Sequence, residues 1–296
     1  MMEMMLDAAF FDRLSRLRLA TGCKSSMNRT GNRKSVQKGF STEFSDFREY
    51  MPGDDLRRID WNAYGRLDRL YVKEYMEEKE TVVSVLIDTS ASMRYGMKSK
   101  SSLACTLAAA LACMGLNNMD RVVLYDMQNM QMPFVACGGR KALPMVARFL
   151  SGLVFEGRVD VAEAVRRLPS KGAGMTILLS DFLQDIFLEP QAEALGNLLR
   201  FLNYKKQNPV LLQVLAGEEL SVGMTGTKKL IDMEDNSALR LTLDATSIRV
   251  YETALEKFLF SLRRACAKAG AFYAVCSTET EIDKLIFEDL RKLYDI

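Results

Sequence analysis

Residues 82–92 read Val-Val-Ser-Val-Leu-Ile-Asp-Thr-Ser-Ala-Ser, an apolar run followed directly by an acid and two hydroxyls. Because residues 82–87 are apolar and mostly β-branched, they predict a strand buried on both faces of a parallel sheet. Asp88, Ser90 and Ser92 then lie at the carboxyl end of that strand, where open α/β sheets bind ligands. One carboxylate and two hydroxyls on alternate residues can turn their oxygens toward one point, which is the ligand chemistry of Mg²⁺.

Further along the chain, apolar runs alternate with helical patterns. Such alternation predicts βαβ units and a mostly parallel sheet with helices on both faces, an α/β fold of the Rossmann type. The predicted strands are 82–87, 121–126, 175–180, 209–216 and 271–276. The predicted helices are 101–117, 142–151, 160–168, 189–206, 251–269 and 280–294. Residues 217–243 break this rhythm and are predicted to form a β-rich excursion within a domain spanning 81–296.

Residues 1–80 precede this domain and differ from it in pattern. Residues 4–19 predict an amphipathic helix that packs on another element. Residues 24–38 are basic, and they predict a solvated loop or, as an alternative, a phosphate-binding strip. Residues 50–55 predict a turn, after which Asp54 or Asp55 caps a short helix running toward Trp61.

The residue inventory excludes several classes of enzyme. The 296 residues include no histidine, which excludes Ser-His-Asp and Cys-His catalysis and His-ligated zinc. None of the six cysteines stands in a C-x-x-C pair, so we expect reduced thiols, most of them in the core. A formal net charge of +2 gives no electrostatic argument for a nucleic-acid partner.

The longest apolar stretch, residues 103–116, is too short to span a bilayer. The amino-terminal residues 1–7 also lack the basic start and apolar core of a signal peptide. We therefore expect a cytoplasmic protein that is not inserted in a membrane.

A second acid follows another predicted strand. Residues 175–181 end in Asp181, and if the two strands are neighbours, Asp88 and Asp181 lie at the same edge of the sheet. Asp160 stands on a further loop before a predicted helix. These residues predict a divalent-cation site; the alternative is that Ser90 and Ser92 cap the following turn while Asp88 accepts hydrogen bonds from backbone amides.

The first loop resembles the metal-ion-dependent adhesion motif (MIDAS) of von Willebrand factor A-like (vWA) domains, which reads D-x-S-x-S, then Thr, then Asp. A longer stretch resembles the signature of the bacterial domain-of-unknown-function family 58. That resemblance is carried by residues 39–44, by the block 48–61 with its Pro-Gly-Asp-Asp and Ile-Asp-Trp groups, by residues 72–74 and 77–80, and by residues 230–234. It covers roughly residues 36–290.

The resemblance implies a vWA-like three-layer sandwich with an amino-terminal elaboration. Members of the family are often encoded beside MoxR-type AAA+ ATPases and are thought to be their adaptor or chaperone partners, with no established enzymatic activity. Carried onto this chain, Asp88, Ser90 and Ser92 match the first metal loop and Asp181 matches the third.

The second metal loop departs from the motif, because Val159 stands where the pattern has Thr. One hydroxyl ligand is missing, and Asp160 or a bound water would have to replace it. The resemblance therefore implies a weak magnesium site or none.

The block at residues 52–61 has two interpretations. Asp54, Asp55, Arg57, Arg58 and Asp60 are expected to form a salt-bridge network that clamps the amino-terminal layer to the sheet, with Trp61 buried beneath. The alternative is that the same charges form a docking face for a partner.

The leading functional hypothesis is a non-enzymatic interaction module, in which a metal held by these loops binds a partner's carboxylate. The alternative is a magnesium-dependent phosphatase or phosphotransfer enzyme with Asp88 as nucleophile. Such enzymes need a second acid two residues later, where this chain has Ser90. Nucleic-acid binding through residues 24–38 is a weaker third hypothesis.

Overall fold

The residues that the computed structural model describes fall into two compact units. The described residues are 8–20, 43–76, 81–169, 173–184, 187, 193–223, 226–231, 233 and 238–295. Residues 43–76 form the smaller unit, and the remaining described residues form the larger one. The basic segment 24–38 and the acidic residues 77–80 lie outside the described residues.

The amino-terminal helix is shorter than its apolar pattern predicts. Helix α1 (Ala8–Leu14) ends at Leu14, and the chain then turns into the short strand β1 (Arg18–Leu19). The prediction of a helix to residue 19 was wrong because β1 pairs antiparallel with residues 294–295 at the far end of the chain. Phe10 and Leu14 are nevertheless buried in the core of the larger unit, as the amphipathic pattern predicts.

The smaller unit is an antiparallel pair of strands with a helix between them. Strands β2 (Glu43–Glu49) and β3 (Tyr71–Met76) pair along their length. A 3₁₀ turn (Leu56–Arg58) and helix α2 (Trp61–Leu67) connect them.

The larger unit is built on a six-stranded sheet in which all five predicted strands are confirmed. The parallel strands are β4 (Val82–Ile87), β5 (Arg121–Asp126), β7 (Gly174–Ser180), β8 (Gln207–Leu215) and β11 (Phe272–Ser277), and β6 (Phe134–Ala136) pairs antiparallel with β5. Their spatial order is β11-β8-β7-β4-β5-β6. The chain winds outward in both directions from β4 and β7, so the switch point of this doubly wound sheet lies between these two strands.

Helices cover both faces of the sheet. The core of one face contains α1, α3 (Lys100–Asn117) and α4 (Leu143–Ser151); that of the other contains α5 (Val161–Arg166), α6 (Glu193–Tyr204) and α8 (Ala245–Ala269). Strand β4 serves both cores, with Val85 and Ile87 in the first and Leu86 in the second. The protein is therefore a three-layer α/β sandwich of the vWA-like, Rossmann type.

Two regions near the carboxyl end depart from the regular alternation of strands and helices. The predicted β-rich excursion contains the short helix α7 (Gly217–Leu220) and an antiparallel hairpin of β9 (Gly226–Ile231) and β10 (Ala238–Leu243). The predicted helix 280–294 is instead a series of short turns, α9 (Ile282–Lys284), a π turn (Leu285–Asp289) and a 3₁₀ turn (Arg291–Leu293), before β12 (Tyr294–Asp295). Its apolar residues point into the core from this irregular path because β12 must run back to pair with β1.

No helix among the described residues is long and apolar enough to cross a membrane.

Candidate functional site

The carboxylate of Asp88 is buried at the switch point, directly after β4. Only 1% of this residue is exposed. Its Oδ1 accepts a hydrogen bond from the Ser90 backbone N–H at 2.9 Å, and its Oδ2 accepts one from Ser180 Oγ at 2.5 Å. Ser180 is the last residue of β7, so this hydrogen bond joins the end of β7 to the residue that follows β4.

Burial raises the pKa of Asp88 from 3.8 to about 6, and the nearby Asp181 carboxylate adds to the increase, while the hydrogen bonds from Ser180 and Ser90 oppose it. The protein thus holds a carboxylate where desolvation disfavours its charge. Such an arrangement is more frequent at functional sites than in purely structural contacts.

The two predicted hydroxyls form a chain that reaches Asp181. Ser90 Oγ lies 3.0 Å from Ser92 Oγ, and Ser92 Oγ donates to Asp181 Oδ2 at 3.0 Å. Ser90 occupies the N-cap position of the 3₁₀ turn Ala91–Arg94, but its side chain makes no capping hydrogen bond. The prediction that Ser90 caps the following turn is therefore wrong. The hydrogen bond from a backbone amide to Asp88, which was predicted together with it, is present.

The spacing of these oxygens fits a small cation. Neighbouring ligands in an octahedral magnesium shell lie about 3 Å apart, since each Mg–O bond is about 2.0–2.1 Å. Ser90 Oγ, Ser92 Oγ and Asp181 Oδ2 have this spacing in succession. Among the described residues, however, no group of three or more His, Cys, Asp or Glu side chains is placed to hold a metal, so a cation here would depend on the hydroxyls.

The second loop lies against the first. The backbone N–H of Glu156 donates to Thr89 O at 2.9 Å, and that of Ala91 donates to Gly157 O at 3.0 Å. Val159 is buried, and Asp160 is exposed and caps α5 by accepting from the Glu163 N–H at 2.9 Å. The Asp160 carboxylate is thus engaged in a helix cap.

The sequence interpretation missed a lysine at the centre of this site. Lys100 is fully buried at the start of α3, and its ammonium donates to Asp181 Oδ2 at 2.8 Å and to Glu219 Oε1 at 2.7 Å. Burial alone would lower the pKa of Lys100, but the charges and hydrogen bonds of Asp181 and Glu219 outweigh it and raise that pKa. The lysine therefore remains an ammonium ion.

A cleft of about 1390 Å³ opens onto these loops. Ser90, Ser92 and Asp181 line it from the loops, together with Val159 and Asp160. The remaining lining comes largely from β10 and the first turns of α8, including Leu241 and Tyr251. The site therefore faces the β-rich excursion across open space.

The acids of the charged block make hydrogen bonds to backbone amides and to an arginine outside the block. Asp54 Oδ1 accepts from Arg48 at 2.9 Å, and Asp54 Oδ2 accepts from the Met51 N–H. Asp55 accepts from the backbone N–H of Arg57, at the start of the 3₁₀ turn. The acids thus serve as caps and turn anchors because the turns offer unsatisfied amides. The side chain of Arg58 lies outside what the structure describes, and the clamp to the sheet stays a prediction.

The prediction that Trp61 is buried was wrong. Its side chain is 64% exposed and contacts Tyr64 edge-on, with the ring centroids 6.3 Å apart. Trp61 is the first residue of α2, and Asp60 rather than Trp61 is buried there. An exposed tryptophan supports the docking-face interpretation of this block.

Replacing Asp60 by Ala is expected to cost about 1–2 kcal/mol of folding stability. Asp60 Oδ1 accepts from the N–H groups of Asn62 and Ala63 at 2.8 and 3.1 Å, and the variant leaves both amides without that partner. Urea unfolding measures the loss. The exposed Arg57→Ala variant is the control, and it should change stability by no more than about 0.5 kcal/mol; an equal loss in both variants would contradict the capping role.

The chain matches a protein-family model and is similar to uncharacterised mycobacterial proteins. The family model described as "Protein of unknown function DUF58" matches residues 46–257. An uncharacterised protein of Mycobacterium bovis, Mb1516, is 28% identical over 166 residues, which cover 53% of this chain and 52% of that protein. The uncharacterised protein Rv1480 of Mycobacterium tuberculosis gives the same figures. The match thus spans about half the length of these mycobacterial relatives.

Two solved structures are also similar. The conserved hypothetical protein BatB of Bacteroides thetaiotaomicron is 13% identical with a TM-score of 0.41, over 72% of this chain and 98% of that one. An aerotolerance-related membrane protein of Bacteroides fragilis is 11% identical with a TM-score of 0.39, with the same coverage. The fold assignment rests on the strand order of the sheet and not on these likenesses.

Proposed function

This chain belongs to the DUF58 family, and from that premise we propose that it is a non-enzymatic protein-interaction module, an adaptor or chaperone-like partner of a MoxR-type AAA+ ATPase. We define its docking edge as Ser90, Ser92 and Asp181 at the switch point. A cytoplasmic location fits this proposal, as do the buried free thiols of Cys105, Cys113, Cys266 and Cys276.

The observation that carries the proposal is the cleft beside the docking edge. Its volume of about 1390 Å³ exceeds the range of about 300–1,000 Å³ usual for small-molecule pockets. The cleft has polar oxygens on one side and apolar residues of β10 and α8 on the other. A segment of a partner protein, with both a polar and an apolar contact, suits such a surface better than a small substrate does.

A divalent ion is proposed as a weak constituent of the docking edge. Ser90 Oγ, Ser92 Oγ and Asp181 Oδ2 would hold it, with Asp88 beneath them. When bound, Mg²⁺ would offer an open coordination position to a carboxylate of the partner. Val159 supplies no hydroxyl at the second loop, which weakens the site.

The enzyme alternative, a phosphatase with Asp88 as nucleophile, has less support. Asp88 is 1% exposed and both of its oxygens accept hydrogen bonds from the protein. A generic phosphate ester with Mg²⁺ tests this alternative. Turnover that Asp88→Asn abolishes would replace the proposal with an enzymatic function.

The proposal itself is tested by affinity capture from a lysate of the source organism in the presence of Mg²⁺. We expect an AAA+ ATPase among the proteins bound by the wild type and its loss with Asp88→Ala, because Asp88 orients the loop through Ser90. Ser151→Ala is the control and should retain the ATPase, because that hydroxyl donates only to the backbone of its own helix α4. Absence of any AAA+ protein from the wild-type capture, or equal capture by Asp88→Ala, would contradict the proposal.

A further inference from the structure

The docking edge already contains a positive charge that belongs to the protein. Lys100 is 0% exposed, and its Nζ lies 2.8 Å from Asp181 Oδ2, the same oxygen that accepts from Ser92 Oγ. This oxygen is therefore shared between the hydroxyl chain and the ammonium. A divalent ion that used Asp181 would meet the ammonium at the same atom.

The ammonium also connects the docking edge to the β-rich excursion. Its second contact is Glu219 Oε1 at 2.7 Å, in the short helix α7. The side chain of Glu219 is 15% exposed, and its other oxygen, Oε2, accepts from the Ala216 N–H at 2.8 Å. Lys100 thus has two carboxylate partners, Asp181 at the docking edge and Glu219 in α7.

The Lys100 ammonium and a divalent ion would repel each other strongly if both were bound to Asp181. The site is buried, and its effective dielectric constant is far below that of water. Asp181 cannot interact fully with both the ammonium and a dication. Metal binding would have to displace Lys100 from Asp181 or tolerate it nearby, and both lower the affinity.

We propose that Lys100 is an internal cation that competes with divalent metal for Asp181, and that it limits the metal affinity of the docking edge more than the missing hydroxyl at Val159 does. The inference rests on the proposed function only for the location of the site. Metal titration of the isolated chain tests it without any partner, so its failure and the failure of the adaptor proposal are separate results.

The test compares three full-length variants by calorimetric titration with Mg²⁺ and with Mn²⁺. Lys100→Met removes the ammonium and keeps an unbranched side chain that is one heavy atom shorter. Val159→Thr restores the hydroxyl that the motif expects. Lys98→Met removes a nearby charge that is 65% exposed and pairs with Glu279 at 3.4 Å, and it serves as the matched control.

We expect Lys100→Met to bind both ions on the order of tenfold more tightly than the wild type or better, and to gain more than Val159→Thr does. Lys98→Met should bind as the wild type does. If Lys100→Met does not fold, the double variant Lys100→Met/Glu219→Gln provides a second route. It removes the ammonium together with the Glu219 carboxylate that it pairs with, and it should show the same gain.

Three results would overturn the inference. These are an unchanged affinity in both Lys100 variants, a gain in Val159→Thr that equals or exceeds theirs, and a gain in Lys98→Met of the same size.

Discussion

Replacing Lys100 by Met is expected to destabilise the metal-free protein by about 3–5 kcal/mol, because the change leaves two carboxylates without their buried cation. The side chains of Lys100 and Asp181 are only 1% and 3% exposed, and Glu219 is 15% exposed. The ion pair is therefore a buried one, and its loss costs more than that of a surface pair. Urea unfolding in the presence of a chelator measures the free energy of unfolding directly.

The matched control for this prediction is Lys98→Met. Lys98 also pairs with an acid, but its side chain and that of Glu279 are 65% and 59% exposed. Exposed pairs contribute about 0–1 kcal/mol, so the control should lose no more than that. A loss below about 1 kcal/mol for Lys100→Met would mean that the ion pair contributes little and that the site relaxes without it.

Replacing Asp88 by Asn is expected to stabilise the protein at neutral pH by up to about 3 kcal/mol. Burial raises the pKa of Asp88 from 3.8 to about 6, and each unit corresponds to about 1.4 kcal/mol. The folded state binds the Asp88 proton more tightly than the unfolded state does. The loss of folding stability caused by the Asp88 charge is therefore absent below pH 3.8, grows as the pH rises through 6 and is complete above that value.

The pH dependence supplies the check on this second prediction. The difference in unfolding free energy between Asp88→Asn and the wild type should increase from pH 4 to pH 7 and then level off. Asn retains an oxygen for the Ser90 N–H, so the loop should keep its geometry. A variant that is less stable than the wild type at pH 7, or a difference that does not change with pH, would contradict the account of Asp88.

A gain in stability together with a loss of partner binding would identify Asp88 as a residue kept for function. Proteins commonly carry such destabilising groups at their binding and catalytic sites. The two measurements on the Asp88 variants therefore distinguish a functional carboxylate from a structural one.

The sequence was sufficient to predict the sheet and to place Asp88 and Asp181 at the same edge of it. Both acids directly follow apolar runs, and the ends of neighbouring parallel strands lie at one edge. Lys100 could not be predicted in this way. It stands in the polar stretch Lys98-Ser99-Lys100 and looks like a solvated helix start, whereas its partners are 81 and 119 residues away. Only the crossovers after β4, β7 and β8 bring them together.

The errors near the ends of the chain have a related cause. The apolar spacing of residues 4–19 and 280–294 is helical, but the pairing of β1 with β12 ends the first helix early and breaks the second. Trp61 illustrates a different limit, because a large apolar residue is expected in a core and only the structure shows that it faces solvent.

The most direct test of the docking edge is a binding titration of the purified chain with the MoxR-type AAA+ ATPase of the same organism, for the wild type and Ser92→Ala. Ser92 links Ser90 to Asp181 and lines the cleft, so we expect Ser92→Ala to weaken binding about tenfold or more. Ser151→Ala is the control, since that hydroxyl donates only to the backbone of its own helix α4 and should leave the affinity unchanged. Failure of the wild type to bind the ATPase, or equal affinities for the wild type and Ser92→Ala, would contradict the proposed docking edge.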